Sequence, residues 1–347
     1  MPETVIDLVI VGAGPVGLEA AIRAKRAGLD YLVVEQGPIV GAINRYPTYM
    51  TFFTTSERLE IGDHPLVTAT DKPTRKEALD YYRKVVANEQ LNVRTYTRLD
   101  SLKSQPGAGF ALTLAAQAPS GCTGSIRSRT VILATGYFDN PNQLGVPGED
   151  LPHVSHVYTE NHAYFGRPVV IIGGGSSAAD AALDLYRGGA KVQMVHRGSD
   201  FKPSLKYWIR PNLENRIKDG SITAYLGAVV ESISPGGVQV RRNGESLTLP
   251  ADAVFALTGY YADPKLLNSA GATTDAVTLA PRIDPASFET DVPGLYVVGS
   301  AGCGRITSNV FIENGLPQAR AAVEHVAVAL ESRARRASSP QGAHTFD

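Results

Sequence analysis

A glycine-rich turn near the start of the chain limits what the chain can fold into. Gly12, Gly14 and Gly17 follow the apolar run Val5–Val11 and open an alanine-rich stretch with helical periodicity. In a strand–turn–helix of this kind the first glycine permits the tight turn, the second lets a pyrophosphate approach the backbone, and the third lets the helix pack on the strand. Glu35 ends the next apolar run, where a carboxylate can accept hydrogen bonds from ribose hydroxyls. The pattern predicts a βαβ unit that binds a dinucleotide.

The same arrangement recurs in the middle of the chain. Pro168–Ile172 is an apolar run of strand length, and Gly173 and Gly175 follow it in a second glycine turn. Ala178 stands where the last glycine would be, a variant that such turns accept. The chain is therefore predicted to contain two dinucleotide-binding units, and two units of this kind imply two cofactors.

The two units differ where their second strand ends. The first unit has Glu35 there, whereas the second has His196 and Arg197. Because a 2′-phosphate needs cations where a free ribose needs a carboxylate, the second unit predicts NADP(H) rather than NAD(H). Lys202 and Lys206 follow, either as further phosphate ligands or as part of a solvated basic face.

A late strand supplies a third part of the first site. The apolar run at 294–298 is followed by Gly299 and Ser300. The apolar run that precedes Thr135 and Gly136 is likewise followed by a glycine and a hydroxyl residue. In FAD proteins such a strand usually ends in Gly-Asp, and Ser300 keeps a hydrogen-bonding group at this position while losing the charge. We expect the first unit to hold FAD and the second NADPH.

Candidate cofactor-binding residues follow from these motifs. In the first unit they are Gly12, Gly14, Pro15, Gly17, Glu35, Gln36, Asn44, Tyr46, Thr135, Gly136, Gly299 and Ser300. In the second unit they are Gly173, Gly175, Ser176, Ser177, His196, Arg197 and Gly259. The sequence assigns no catalytic residue and predicts no metal site.

Charge and cysteine content exclude several classes of protein. The chain has 33 Lys and Arg residues against 34 Asp and Glu, which argues against a nucleic-acid or polybasic membrane-surface protein. Two cysteines exclude a disulfide scaffold and a four-thiolate metal site. The first apolar run leads into a glycine turn rather than a cleavage site, and no run is long enough to span a membrane. We therefore expect a cytoplasmic protein.

The predicted architecture is α/β with two Rossmann-like dinucleotide-binding domains. An FAD domain is expected at residues 1–136 and 258–347, and an NADPH domain at 137–257 is inserted into it. A helix is predicted over 72–89, with Thr74 and Glu77 at capping-box spacing. The tail from about residue 332 is expected to fray.

With these motifs the chain resembles the thioredoxin-reductase-like flavoproteins, which carry two dinucleotide-binding domains, over residues 5–328. Thioredoxin reductases have a Cys-x-x-Cys pair shortly before the second glycine turn, and the corresponding stretch here, 156–160, has no cysteine. The resemblance therefore does not extend to thioredoxin reduction itself.

A more specific resemblance is to the bacillithiol disulfide reductases. It rests on segments outside the nucleotide motifs: NRYPT at 44–48, MTFF at 50–53, KPTRKEAL at 72–79, YYR at 81–83, HRG at 196–198, KYW at 206–208, ENRIK at 214–218 and FIENG at 311–315. The resemblance implies FAD and NADPH as cofactors, a low-molecular-weight disulfide as electron acceptor, and a homo-oligomer. Many members carry a cysteine in the first glycine turn, where this chain has Val16.

The departure at Val16 leaves the electron acceptor open. Cys303 could supply a thiol near the flavin, or it could be a buried core residue. A small redox protein such as ferredoxin would need no enzyme thiol, as in thiol-free ferredoxin–NADP reductases. Two further alternatives are a flavin monooxygenase, whose motif between the turns is incomplete here at 151–157, and a redox sensor without turnover.

Aromatic residues near the first site have two interpretations. Tyr46, Phe52 and Phe53 either stack on the flavin ring or belong to the core. The segment 311–315 is predicted to begin the last helix, whose N-terminus could face the flavin.

Overall fold

The computed structural model describes residues 5–307 and 310–338, which form an α/β protein. The strands are β1 (Val5–Val11), β2 (Tyr31–Val34), β3 (Val93–Arg94), β4 (Thr97–Gln105), β5 (Gly109–Ala116), β6 (Gly124–Leu133), β7 (Val154–Ser155), β8 (Pro168–Ile172), β9 (Lys191–His196), β10 (Ile222–Leu226), β11 (Ala228–Ser234), β12 (Gly236–Arg242), β13 (Glu245–Ala251), β14 (Ala253–Ala256) and β15 (Leu295–Val297). The α-helices are α1 (Pro15–Arg26), α2 (Gly41–Asn44), α3 (Arg75–Glu89), α4 (Ser176–Arg187), α5 (Arg210–Lys218), α6 (Lys265–Ala270) and α7 (Ile312–Ser338). Short 3-10 helices lie at Ser56–Leu59, His162–Tyr164 and Gly299–Gly302.

The chain divides into two compact units. The first contains Met1–Asn44, Thr51–Asp139 and Tyr261–Asp347, and the second contains Arg45–Met50 and Asn140–Tyr260. The boundaries predicted from the sequence, 136/137 and 257/258, lie close to the longer breaks. The transfer of Arg45–Met50 to the second unit was not predicted. Its anchor there is a backbone hydrogen bond from Thr48 N to Thr159 O, 2.9 Å long.

The first unit is built on a sheet with the strand order β3-β2-β1-β6-β5-β4, in which β15 also pairs with β6. The pairs made by β1, β2, β3 and β15 are parallel, whereas β4, β5 and β6 form antiparallel hairpins. Val9, Leu32 and Val131 are fully or almost fully buried in its core, as expected of parallel strands covered on both faces.

The second unit is built on a parallel sheet with the strand order β10-β9-β8-β14-β7. Val169, Ile171 and Ala178 belong to its core, where α4 packs on the sheet. A separate antiparallel sheet, β11-β12-β13, carries a second apolar cluster. Each unit thus has the strand–turn–helix–strand arrangement predicted for it, as β1-α1-β2 and β8-α4-β9.

Several local predictions are confirmed, and two helix ends differ from expectation. Thr74 and Glu77 form the reciprocal hydrogen bonds of a capping box, and α3 begins at Arg75 rather than at 72. The last helix begins within 311–315 as predicted, but it continues to Ser338, beyond the predicted start of the tail. The remainder of the predicted tail lies outside the described residues. Among the described helices, none combines the length and apolar composition needed to cross a bilayer.

Candidate functional site

Three glycines shape the first glycine turn, and each has a different structural role. Gly12 has a φ of 106°, and a methyl group added to it would lie 2.5 Å from Ala134 O at the end of β6. A methyl group on Gly17 would collide with Gly12 O, so α1 approaches the turn closely only because Gly17 has no side chain. At Gly14 an added methyl group would meet nothing within 4 Å. The backbone is therefore open at the position where a phosphate would approach.

Helix α1 begins beside this opening. Gly14 is its N-cap residue, Pro15 follows in the first turn, and no side chain caps the first N–H groups. Because these N–H groups carry partial positive charge and have no partner within the helix, the helix end suits an anionic group. The turn thus fits a dinucleotide phosphate both in its space and in its donors.

Glu35 lies across the same turn. Its Oε2 accepts a hydrogen bond of 2.7 Å from Ala13 N, and its Oε1 accepts one of 2.8 Å from Gly37 N. A carboxylate with two backbone donors retains further lone pairs, so it can also accept from a ribose hydroxyl. The neighbouring Gln36 donates through Nε2 to Asp139 Oδ2 at 2.7 Å.

The strand ends that follow Leu133 and Val297 meet beside the first turn. They are adjacent because β6 and β15 are parallel neighbours. A methyl group on Gly136 would lie 3.7 Å from Ser300 Oγ, and Gly299 N donates to Gln318 Oε1 of α7 at 2.7 Å. Since Gly12 lies against Ala134, the structure brings the predicted residues Gly12, Gly136 and Ser300 to one edge of the sheet.

Val16 occupies the centre of this edge. A methyl group on Gly299 would lie 3.2 Å from Val16 Cγ2, and one on Gly315 would lie 2.8 Å from the same carbon. The starts of α1 and α7 therefore approach each other through two glycines and one valine. The side chain at position 16 is therefore apolar and carries no thiol.

Asn44 and Tyr46, also predicted for the first site, are placed differently from each other. Asn44 ends α2 in the first unit, and its Oδ1 accepts from Arg75 at 3.2 Å. Tyr46 lies in the segment Arg45–Met50, which groups with the second unit. Phe53, a further aromatic residue considered for the first site, packs edge-to-face on Phe311 with 5.6 Å between the ring centroids.

The second glycine turn has the same design as the first. Gly173 has a φ of 153° and lies against Leu257 O, so a side chain at Gly173 would collide with the end of β14. Helix α4 begins at Ser176 after the N-cap Gly175, again without a side-chain cap. Ser176 and Ser177, both predicted for this site, form the first turn of α4, which is where N–H groups are free for a phosphate.

His196 lies over the second turn. A methyl group on Gly174 would come 2.6 Å from its ring, so the imidazole and the turn pack directly on each other. Burial, together with Lys202 and Arg197, lowers the pKa of His196. The ring is therefore largely neutral near pH 7, and fixed positive charge at this end of β9 comes from Arg197 and Lys202.

Lys202, which the sequence suggested as a possible further phosphate ligand without placing it among the candidate cofactor-binding residues, belongs to this group. Its N donates to Gly174 O at 3.0 Å, and its Cδ lies 3.8 Å from a methyl group added to Gly175. The predicted residue Gly259 follows β14 two residues after Leu257, which lies against Gly173, and Gly259 O accepts from Asn142 N at 2.9 Å. The only sequence signal for Lys202 was its positive charge, five residues after Arg197.

The cysteines do not form a redox pair. Cys122 and Cys303 are both free thiols. Cys303 Sγ donates to Ser300 O at 2.9 Å, and burial raises the pKa of the Cys303 thiol to about 11. Because the thiolate is the reactive form, Cys303 is a poor nucleophile near neutral pH. Cys122 lies on the hairpin side of the first unit, 3.9 Å from Arg94.

His156, in the stretch 151–157, has structural contacts. His156 Nδ1 lies 3.0 Å from Ala256 O, and its Nε2 lies 3.3 Å from Glu149 Oε1. Glu149 also accepts from Leu144 N and Gly145 N. His156 thus links the start of the second unit to the end of β14. Among the described residues, no cluster of His, Cys, Asp and Glu could hold a metal ion.

Comparison with known proteins gives a consistent result. A family model described as pyridine nucleotide-disulphide oxidoreductase matches residues 9–299. Bacilliredoxin reductase of Bacillus subtilis (strain 168) is 40% identical over 309 residues, which cover 88% of this chain and 93% of the relative. A ferredoxin–NADP reductase of Paramagnetospirillum magneticum is 29% identical over 314 residues, 86% of each chain.

A solved structure agrees over nearly the whole chain. Bacillithiol disulfide reductase from Bacillus cereus superposes with a TM-score of 0.89 at 38% identity, covering 94% of this chain and 100% of that one. The resemblance predicted from the sequence segments is therefore confirmed.

Proposed function

Because the chain belongs to the pyridine nucleotide-disulphide oxidoreductase family, we propose that it carries electrons from NADPH through FAD to a low-molecular-weight disulfide of the bacillithiol class. The observation that carries the proposal is the pair of glycine turns, each followed by a helix whose N-terminus lacks a side-chain cap. A disulfide of this class is supported as the acceptor by the similarity to the bacillithiol disulfide reductase of Bacillus cereus, which covers 94% of this chain.

FAD and NADPH are the cofactors of this family, and the first unit is proposed to hold FAD. Gly12 and Gly14 leave the space for a pyrophosphate, and the start of α1 supplies N–H donors. Glu35 is positioned to accept from the ribose hydroxyls while it holds the turn through Ala13 N. When bound, FAD supplies the redox chemistry by accepting hydride from NADPH and passing the electrons on.

The second unit is proposed to hold NADPH. Gly175 and Ser176 would receive the pyrophosphate at the start of α4, and Arg197 and Lys202 would pair with the 2′-phosphate. His196 orders the turn by packing on Gly174. The proposal thus assigns FAD to the domain predicted at 1–136 and 258–347, and NADPH to the domain predicted at 137–257. A homo-oligomeric, cytoplasmic enzyme completes the proposal.

A second candidate function is supported by the surroundings of Val16. Reduction of a disulfide normally proceeds through an enzyme thiol, whereas Val16 is apolar and the raised pKa of Cys303 keeps that thiol protonated. An acceptor that takes electrons from the flavin without a thiol, such as a small iron–sulfur or flavin protein, would not meet this difficulty. The ferredoxin–NADP reductase relative is consistent with this alternative.

An anaerobic titration of the flavin absorbance tests both candidates. NADPH should bleach the flavin at lower concentration than NADH does, because Arg197 and Lys202 favour the 2′-phosphate. Bacillithiol disulfide added next should restore the oxidised spectrum if the chain is a disulfide reductase. If only oxidised ferredoxin or flavodoxin restores it, the second candidate holds and the first is wrong.

A further inference from the structure

A loop at residues 202–209, which we call the basic–aromatic loop, is attached directly to the second glycine turn. Lys202 N donates to Gly174 O at 3.0 Å, and Lys206 N donates to Ser176 Oγ at 3.3 Å. Ser176 Oγ in turn donates to Ser204 O at 3.5 Å. The loop therefore follows the backbone of the turn at which a dinucleotide phosphate is proposed to bind.

Apolar side chains anchor the basic–aromatic loop in the core of the second unit. Leu205 and Ile209 are buried in the core of the second unit, together with Phe201 just before the loop. These residues hold the loop in place, so its exposed side chains are presented by an anchored backbone.

Two large aromatic side chains nevertheless point away from that core. Tyr207 is 82% exposed and Trp208 is 55% exposed. Their rings pack edge-to-face with centroids 4.9 Å apart, and Lys206 Nζ lies 5.4 Å from the centroid of Trp208. An exposed Trp–Tyr pair with a cation beside it is suited to stack on a flat heteroaromatic ring.

The course of the loop identifies which end of the cofactor it can reach. In a dinucleotide unit the end of the second strand marks the adenosine ribose, and here that strand is β9, which ends at His196. The loop begins a few residues after His196 and Arg197 and returns to Ser176 at the start of α4. The aromatic pair thus belongs to a loop that leaves the adenosine end of the proposed site and reaches the helix start where the pyrophosphate is proposed to bind.

We propose that Tyr207 and Trp208 form a stacking wall for the adenine ring of NADPH. The inference rests on the proposed function and adds to it a contact that the glycine and phosphate motifs do not contain. The wall would bind the half of the cofactor that takes no part in hydride transfer, so it would contribute affinity and orientation.

The chain has one tryptophan, so its fluorescence reports on this loop alone. The test titrates the oxidised FAD-containing enzyme with 2′,5′-ADP, which contains the adenine and the 2′-phosphate, and separately with nicotinamide mononucleotide. A saturable change in tryptophan emission with 2′,5′-ADP and none with the mononucleotide is the expected result. A response to the mononucleotide alone would overturn the assignment to adenine.

Variants test the energetic contribution. Trp208→Ala and Tyr207→Ala should each weaken NADP+ binding in calorimetry by about tenfold, the size of a base–aromatic stacking contact. Trp208→Phe should restore most of that affinity, because it keeps a ring. Phe165→Ala is the matched control, since Phe165 is 78% exposed in the same unit but lies against Gly189.

The outcomes separate this inference from the proposed function. NADP+ binding with normal affinity in Trp208→Ala and Tyr207→Ala, without an emission change in the parent enzyme, would overturn the stacking wall alone. A parent enzyme that binds neither NADP+ nor 2′,5′-ADP would overturn both.

Discussion

Val16 and Gly315 are in contact across the starts of two helices: a methyl group on Gly315 would lie 2.8 Å from Val16 Cγ2. The contact explains why the last helix needs a glycine at its start, and it fills with hydrocarbon the place where many relatives are expected to carry a thiol. The side chain at position 16 therefore bears directly on the choice of acceptor.

Val16→Cys should raise the rate of NADPH-dependent bacillithiol disulfide reduction about tenfold or more, because the helix start lowers the pKa of a thiol placed there. Cysteine is no larger than valine, so the contact with Gly315 is kept. Val16→Ala, which removes bulk without adding a thiol, is the control. Equal steady-state rates for the two variants would contradict the prediction.

Glu35→Gln should lower FAD occupancy. The glutamine can accept from only one of Ala13 N and Gly37 N, and its amide N–H groups oppose the other donor, which costs about 1–3 kcal/mol. The measurement is the ratio of flavin to protein after dialysis. Asp100→Asn, at an exposed ion pair with Arg98, should retain full occupancy. A fully loaded Glu35→Gln enzyme would argue against this role.

Arg197→Ala and Lys202→Ala should each raise the KM for NADPH about tenfold or more and leave the KM for NADH nearly unchanged. The reason is that each removes a charge-assisted contact proposed for the 2′-phosphate. Lys191→Ala is a suitable control because Lys191 is exposed at the opposite end of β9. A parallel rise in the KM values for NADPH and NADH would indicate a structural role instead.

Arg320→Ala should destabilise the first unit, because it removes one of the two cations that pair with the buried carboxylate of Glu19. The expected loss is limited to about 1–3 kcal/mol, because Arg320 is half-exposed and Arg23 still pairs with Glu19. Glu19 is 0% exposed and also accepts from Gly62 N at 2.6 Å. The effect is measured as the midpoint of thermal unfolding, with the release of flavin as the signal. Arg335→Ala removes an exposed pair with Glu331 on the same helix and should change the midpoint little. Equal shifts for the two variants would refute the prediction.

Cys303→Ser should leave NADPH-dependent turnover unchanged near pH 7, because the raised pKa keeps the Cys303 thiol protonated and unreactive. The unfolded thiol loses its proton near pH 9, whereas the folded one keeps it until about pH 11. Stability from this group is therefore present below pH 9 and is lost as the pH rises towards 11. Urea unfolding between these values should be less pH-dependent in Cys303→Ser. A large loss of turnover would instead indicate a redox thiol.

The features that could be predicted from sequence were local ones. Gly12, Gly14 and Glu35 act within one βαβ unit, so their spacing was enough to place them. Lys202 depends on a loop that returns to Gly174, and no short-range pattern encodes that return. Tyr46 was predicted for the first site from family segments, but the structure groups it with the second unit through a contact made over a hundred residues later, at Thr159.

The pairing of β15 with β6 also governs the order in which the chain can fold during synthesis. All strands of the second unit are translated between these two strands, so its sheets are complete while the far part of β6, from Val131 to Leu133, is paired with β1 on one side only. An apolar strand edge of this kind is a template for aggregation until it is covered. Ribosomes that stop before Leu295 would therefore release a folded second unit joined to a first unit that cannot close its sheet.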